Sequence, residues 1–293
     1  MEKLLEVISS QRPHLSQSSK KTYLSVLQRV FKKAFPDEKQ MDHTLFSKHQ
    51  EEVIKALEDI PFNSRKTLLA ALVIITTEGV QKKYQDLMNK DAMKYNIEQK
   101  ENKMTPLQKQ NWISWDDVES TLEKLKRSTE HIWKESKPSR DDIMALQKYI
   151  ILACYVMIPP RRLLDYTLMK IRGYNRAKDN FFDKGTFYFR QYKTAKFLGL
   201  QIEKLPKKLS QLITKWANFT GWPQLFQSYT GDDLTAALLT KTLNSIFFPK
   251  VISVNMLRHI YITTKSAPLI NQLEQTAAEM GHSSAQAKLY VKK

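Results

Sequence analysis

Cysteine is almost missing: the 293-residue chain has one, Cys154. One thiol makes neither an internal disulfide nor a structural zinc site, so an intracellular setting is expected. Glycine is scarce too, with seven in the chain. Neither G-x-x-x-x-G-K-[ST] nor G-x-G-x-x-G occurs, which argues against glycine-built phosphate cradles and the ATP-driven or dinucleotide-dependent chemistry they serve. Long hydrophobic runs are absent as well. The longest apolar stretch, 143–158, is interrupted by Gln147 and Lys148. It falls short of the roughly 20 apolar residues that span a bilayer and predicts a buried helix instead. Residues 1–15 lack the apolar stretch of a signal peptide. With no lipidation signal and no basic cluster beside an apolar anchor, no membrane partner is expected.

What the chain has in excess is positive charge. Lys and Arg number 47 against 30 Asp and Glu, a formal net charge of +17. Such an excess favours a polyanion, because each cation that neutralises a phosphate releases a condensed counterion. Hydrophobic residues make up 42% of the chain, enough for real cores. At roughly 100–200 residues per domain the length suggests two domains.

The first ninety or so residues read as helices. Ser16–Ser19 offers caps for a helix over 18–34, in which Tyr23, Val26, Leu27, Val30 and Phe31 recur at helical spacing. Lys20 and Lys21 are interleaved with them, and Pro36 ends the run. A second helix is predicted over 45–57, and a third from Asn63 carrying Leu68, Leu69, Leu72, Val73 and Ile75. Arg65 and Lys66 fall in its first turn, where free backbone N–H groups favour a phosphate. Lys20, Lys21, Arg65 and Lys66 are therefore candidate phosphate contacts. Residues 86–110 are polar and charged and predict a linker, partly helical. The domains are placed at 1–90 and 111–293, with 91–110 between. Ser114 caps a new helix with Asp116 and Asp117 in its first turn. Helices follow to about Arg127 and over 140–158. Alternation predicts strands over 186–192 and 198–205, joined by a turn through Lys193–Lys196. From Pro206 the pattern is helical again.

Four separated pieces carry chemistry. They are Pro159-Pro160-Arg161-Arg162-Leu163-Leu164-Asp165-Tyr166, Tyr192-Lys193-Thr194-Ala195-Lys196, Asn255-Met256-Leu257-Arg258-His259, and Gly281-His282-Ser283-Ser284 followed by Tyr290. Together they resemble the tyrosine recombinase (lambda-integrase-like) family. There, an arginine after a helix, a lysine in a β-turn, an H-x-L-R-H box, a G-H box and the tyrosine follow in this order. The resemblance covers roughly residues 112–293. The N-terminal helices are similar to the family's core-binding domain, with weaker motifs. The P-P-x-R and Tyr-Lys-Thr-Ala-Lys pieces and the Asn111-Trp112 opening look most like recombinases of large DNA viruses and their satellite viruses.

The resemblance implies a mainly α fold with a small antiparallel β-sheet. A helical, SAM-like core-binding domain would precede an α+β tyrosine recombinase catalytic domain. It implies cleavage and rejoining of duplex DNA through a 3′-phosphotyrosine, with no metal and no cofactor. Arg162 and Arg258 would clamp the non-bridging oxygens and stabilise the pentacoordinate transition state. Tyr290 would attack phosphorus, and the ester it forms conserves the bond energy for religation. Lys193 would protonate the leaving 5′-oxygen, and His282 would hydrogen-bond the phosphate or aid proton transfer. Arg161 and Lys196 join the candidate DNA contacts. The partners implied are double-stranded DNA with an inverted-repeat site and further copies of this chain, as dimers that pair into a tetramer. The location implied is intracellular, in the host nucleus or cytoplasm if the source is viral.

Two departures stand out. Asn255 holds a position that is histidine in the family; it donates hydrogen bonds but does not titrate near neutrality. Tyr290 lies eight residues after His282, a spacing one residue shorter than many members have, so a tighter loop is expected. Alternatives stay open within the pieces. Arg162 is preferred because Asp165 then falls at the family's acidic position; Arg161 would face DNA backbone or solvent. Lys193 is preferred by its place at a strand end, with Lys196 the alternative. His259 reads as a structural hydrogen-bonding histidine. His282 could be a helix cap and Tyr290 a packing aromatic.

Three functions compete: a site-specific recombinase or integrase, a type IB topoisomerase, and a catalytically inactive DNA-binding protein. The helical N-terminal part without a β-rich segment favours the first. The expected architecture is a clamp, with one domain on each side of the duplex and 86–110 crossing between. Only Val291, Lys292 and Lys293 follow Tyr290, so a loosely held tyrosine segment is expected without DNA.

Overall fold

A computed structural model of the protein describes residues 2–291. The chain is mainly helical with one small sheet, as expected. It divides into two compact units, Met1–Met104 and Thr105–Lys293.

In the first unit, α1 (Glu2–Gln11), α2 (Gln17–Ala34), α3 (Leu45–Lys48), α4 (Gln50–Ala56), α5 (Phe62–Ile75) and α6 (Glu78–Lys100) enclose a core that includes Leu27, Phe31, Phe46, Leu69, Leu72 and Tyr84. The Ser16 hydroxyl accepts from the Ser19 N–H and caps α2, a contact worth about 1 kcal/mol. The helix expected over 45–57 breaks at His49, whose backbone leaves the helical region. The linker reading of 86–110 also needs correction. α6 continues to Lys100 and packs along α5, with Tyr84 and Asp91 fully buried. Its polarity misleads because only a narrow stripe is covered. Val80, Tyr84, Leu87, Met88 and Asp91 recur at helical spacing, and the rest of the surface stays wet.

The second unit runs through α7 (Pro106–Asn111), α8 (Trp115–Thr129), α9 (Arg140–Val156) and α10 (Leu163–Thr167) into a sheet. The sheet holds β1 (Met169–Lys170), β2 (Asn180–Asp183), β3 (Thr186–Phe189) and, after the short α11 (Ala195–Leu198), β4 (Gln201–Lys204). Then come α12 (Lys207–Thr220), α13 (Ala236–Ile246), α14 (Val254–Tyr261), α15 (Ala267–Glu279) and α16 (Ser284–Leu289). Ser114 with Asp117 and Ser139 with Asp142 form reciprocal capping boxes that start α8 and α9. α9 is the buried helix expected from the apolar run: Ile150 through Tyr155 are all inaccessible. Among the described residues, no helix is long and apolar enough to cross a membrane.

The sheet order is β1-β2-β3-β4. β2, β3 and β4 are antiparallel, but β1 pairs with β2 in parallel, so the sheet is mixed rather than wholly antiparallel. Residues 171–179 make the return; Asp179 closes it by accepting from Lys170 Nζ at 2.9 Å and from the Asn175 N–H at 2.7 Å. The strand expected to reach Tyr192 stops at Phe189. The Arg190 and Gln191 N–H groups both donate to Oδ1 of the buried Asn180, at 2.7 Å each, instead of continuing the ladder. The next strand starts late, at Gln201, because 195–198 coil into α11 and Gly199 (φ +64°) ends that turn.

Candidate active site

Two prolines place the first arginine. α9 ends at Val156, and Pro159-Pro160 cannot continue a helix. The chain leaves extended, and Arg162 becomes the N-cap of α10 (φ −75°, ψ 160°) without using its side chain as a cap. α10 is anchored underneath. The buried Tyr166 hydroxyl donates to the Cys154 carbonyl at 2.9 Å, and its ring meets Tyr155 edge-on at 5.1 Å. The second arginine comes from α14, which Ser253 caps by accepting from the Met256 N–H. Val254, Met256, Leu257 and Ile260 face the core, leaving Asn255 exposed and Arg258 half-buried.

Arg162 and Arg258, far apart in sequence, line one cleft of about 270 Å³. Its wall also includes Arg161, Asp165, Tyr192, Thr194, Gln201 and Glu203. Arg161 differs from its neighbour. Its Nε donates to Asp165 Oδ2 at 2.9 Å, and its guanidinium lies 3.7 Å from the centre of the Phe189 ring. Arg161, expected to face DNA backbone or solvent, is half-buried in the cleft wall and already engaged by Asp165 and the Phe189 ring. Asp165 is almost fully buried, and its Oδ1 has no hydrogen-bond partner. Burial raises its pKa above the ordinary carboxylate value, against the opposing pull of Arg161 and then Arg162.

Lys193 is exposed in the turn before α11; it does not line the cleft, although Tyr192 and Thr194 on either side do. Lys196 is exposed, with Nζ 4.9 Å from the Phe197 ring centre. His259, read as a structural hydrogen-bonding histidine, is exposed on α14 and its ring makes no hydrogen bond among the described residues.

His282 and Tyr290 form a second group. Gly281 (φ +73°) follows α15 in the left-handed conformation; its N–H donates to Ala278 O and that of His282 to Ala277 O. These two hydrogen bonds close the helix end. Ser283 then caps α16 by accepting from the Gln286 N–H. The G-H-S run is therefore a helix stop, a fixed histidine and a helix start. It brings the His282 ring to 5.4 Å from the ring of Tyr290, which is 56% exposed. Neither residue lines the arginine cleft. Other tyrosines nearby are engaged or buried: Tyr192 donates to Gly199 O at 2.6 Å, and burial pushes the Tyr155 and Tyr166 phenols far up in pKa.

In the first unit, most of the expected phosphate contacts turn inward. Arg65 grips Asp91 with Nε and a terminal nitrogen at 2.7 and 2.8 Å, burying the carboxylate. Lys66 Nζ sits 3.0 Å from the Tyr95 ring centre. Lys20 is buried on the same face as Leu24, Leu27 and Phe31. Of the four, Lys21 alone is exposed.

Sequence reasoning missed Gln201 and Glu203. The signal was available, since positions two apart on a strand share a face. It also assigned no role to Tyr166, the anchor beneath Arg162.

No family model matches the chain, and no curated protein matches it. A solved structure described as the crystal structure of XerA recombinase is similar over 89% of this chain and 83% of its own, at 12% identity and a TM-score of 0.36.

Proposed function

We propose that this protein is a tyrosine-type DNA strand-breaking and rejoining enzyme, a site-specific recombinase acting through a 3′-phosphotyrosine. The observation that carries this reading is the meeting of Arg162 and Arg258 in one cleft. Two guanidinium groups sharing a concave wall suit the two non-bridging oxygens of a phosphodiester, where negative charge builds in the transition state. The paired, accessible His282 and Tyr290 supply the nucleophile half. In the proposed step the Tyr290 oxygen bonds to phosphorus and gives its proton to the neighbouring His282 ring, and the bond to the 5′-oxygen breaks. Lys193 gives that oxygen a proton. Asn255 donates a hydrogen bond where relatives of this chemistry use a histidine. The reverse step, with a 5′-hydroxyl as nucleophile, rejoins the strand and needs no external energy source.

The test is trapping of the covalent intermediate. A pool of nicked duplexes with randomised sequence around the nick is incubated with the protein and run on a denaturing gel. Wild type and Tyr192→Phe should form an adduct, and Tyr290→Phe should form none. An adduct that persists in Tyr290→Phe moves the nucleophile elsewhere. No adduct from wild type, with duplex binding intact, supports an inactive DNA-binding protein instead. If wild type relaxes supercoiled plasmid without a paired site, the chain is a topoisomerase.

A further inference from the structure

The hairpin between β3 and β4 carries a feature that the strand-exchange reading leaves unused. At its tip, Phe197 is 76% exposed and Leu198 61%, with Ile202 close behind at 59%. Large apolar side chains left in water on a short loop normally fold back onto the protein. Here the backbone around them is braced while they stay exposed. Tyr192 bonds to the Gly199 carbonyl at 2.6 Å, and the Gln201 side-chain amide donates to the Leu198 carbonyl at 3.2 Å. Gly199 supplies the positive φ that turns the chain after α11.

The surroundings of the tip are cationic. Arg190, Lys193, Lys196 and Lys204 lie along the hairpin against a single acid, Glu203. The tip is also continuous with the cleft, because Thr194 and Leu198 line it beside Arg162 and Arg258. A braced apolar point with Lys193 and Lys196 beside it, next to the arginine-lined cleft, matches how proteins wedge side chains between base steps from the minor groove. The cations neutralise the flanking phosphates while the apolar group unstacks the bases.

We propose that Phe197, backed by Leu198, is a wedge that enters the duplex beside the scissile phosphate and unstacks a base step there. The proposal rests on the reading of the cleft as a DNA site. It assigns Phe197 a positioning and step-selecting role, since pyrimidine–purine steps open most easily.

The probe is a duplex of repeating TA steps with 2-aminopurine in place of adenine on one strand, so that unstacking raises its fluorescence. Binding is followed in parallel by anisotropy over a salt series. Wild type should bind with a steep salt dependence and raise the fluorescence. Phe197→Ala should lose the rise and bind about tenfold more weakly, with an unchanged salt slope because the phosphate contacts remain. Phe197→Leu should restore most of the signal. Because Phe197 is exposed, the alanine variant should keep the wild-type melting temperature. If Phe197→Ala keeps both fluorescence rise and affinity while wild type still forms the Tyr290 adduct, the wedge is overturned and the recombinase reading stands. If wild type binds no duplex, both fall. If the variant keeps its DNA response but loses self-association seen for wild type in sedimentation, the tip is a protein contact and the wedge is overturned.

Discussion

The two halves of the candidate site are built differently. The arginine half grows out of the core: Arg162 stands on α10, which Tyr166 ties to the buried α9, and Arg258 stands on a helix with four core-facing residues. The tyrosine half sits on surface structure. α15 buries only Ala277, and α16 has no buried residue. Groups that stabilise developing charge act best when fixed before the reaction begins, because no energy is then spent turning them at the transition state. A nucleophile that must approach phosphorus and later leave it suits a lightly held segment. The π-helical turn Ile262–Ser266, which joins α14 to α15, lies where the two constructions meet. On this reading, changes to the packing beneath the arginines act on both rate and fold, whereas changes to the arginines themselves and to the second half act on rate.

The largest expected effect comes from the arginines. Arg162→Ala and Arg258→Ala should each lower the rate of adduct formation by about 10²–10³. Melting temperatures should move little, since neither side chain fills the core. The double variant should fall short of the product of the two, because both guanidinium groups serve one phosphate. Single-turnover rates with a nicked duplex read this directly. A fully multiplicative double variant would mean that the two arginines act on different groups.

Gly281→Ala probes the other half, and a smaller effect is expected. An added Cβ would meet nothing within 4 Å, so crowding is not the issue. The cost is conformational: φ +73° is strained for alanine by about 1 kcal/mol. That strain falls on the turn that sets His282 against Tyr290. Adduct formation should therefore slow about tenfold while the global unfolding midpoint stays near wild type. A lower unfolding midpoint together with an unchanged rate would show that the G-H-S turn serves folding rather than delivery of the tyrosine.

Much of this organisation is legible in the sequence, and the failures have physical causes. The spacing of Leu27, Val30 and Phe31, the caps at Ser16 and Ser114, and the buried run of α9 are local signals. Local signals survive folding when tertiary contacts agree with them. Arg65 misleads because its partner Asp91 lies on a helix whose polar surface imitates a linker. Lys20 misleads by its charge, although its spacing to Leu24, Leu27 and Phe31 already places it on the inner face. The meeting of Arg162 and Arg258 depends on packing between distant elements, which no local pattern encodes. Arg161 and Arg162 are chemically alike and adjacent. The hydrogen bond to buried Asp165 and the contact with the Phe189 ring distinguish Arg161 from its neighbour.

Asp165 gives the smallest effect and the finest test of how the arginine half is fixed. Burial raises its pKa, and Arg161 and Arg162 only partly offset that. A carboxyl whose folded-state pKa lies above its unfolded value favours the fold while protonated, below the unfolded pKa. That contribution is lost as pH rises through the folded value. Asparagine at 165 keeps the shape but cannot ionise. The stability of wild type relative to Asp165→Asn should therefore fall as pH climbs through the acidic range, whichever protein is more stable at neutral pH. Urea midpoints for the two proteins at a series of pH values give this difference directly, and other titrating groups cancel between them. A difference that instead grows in favour of wild type with rising pH would mean that the two arginines outweigh burial. Asp165 would then be a net stabilising ion-pair partner, and the arginine half would be held by charge as much as by the core beneath it.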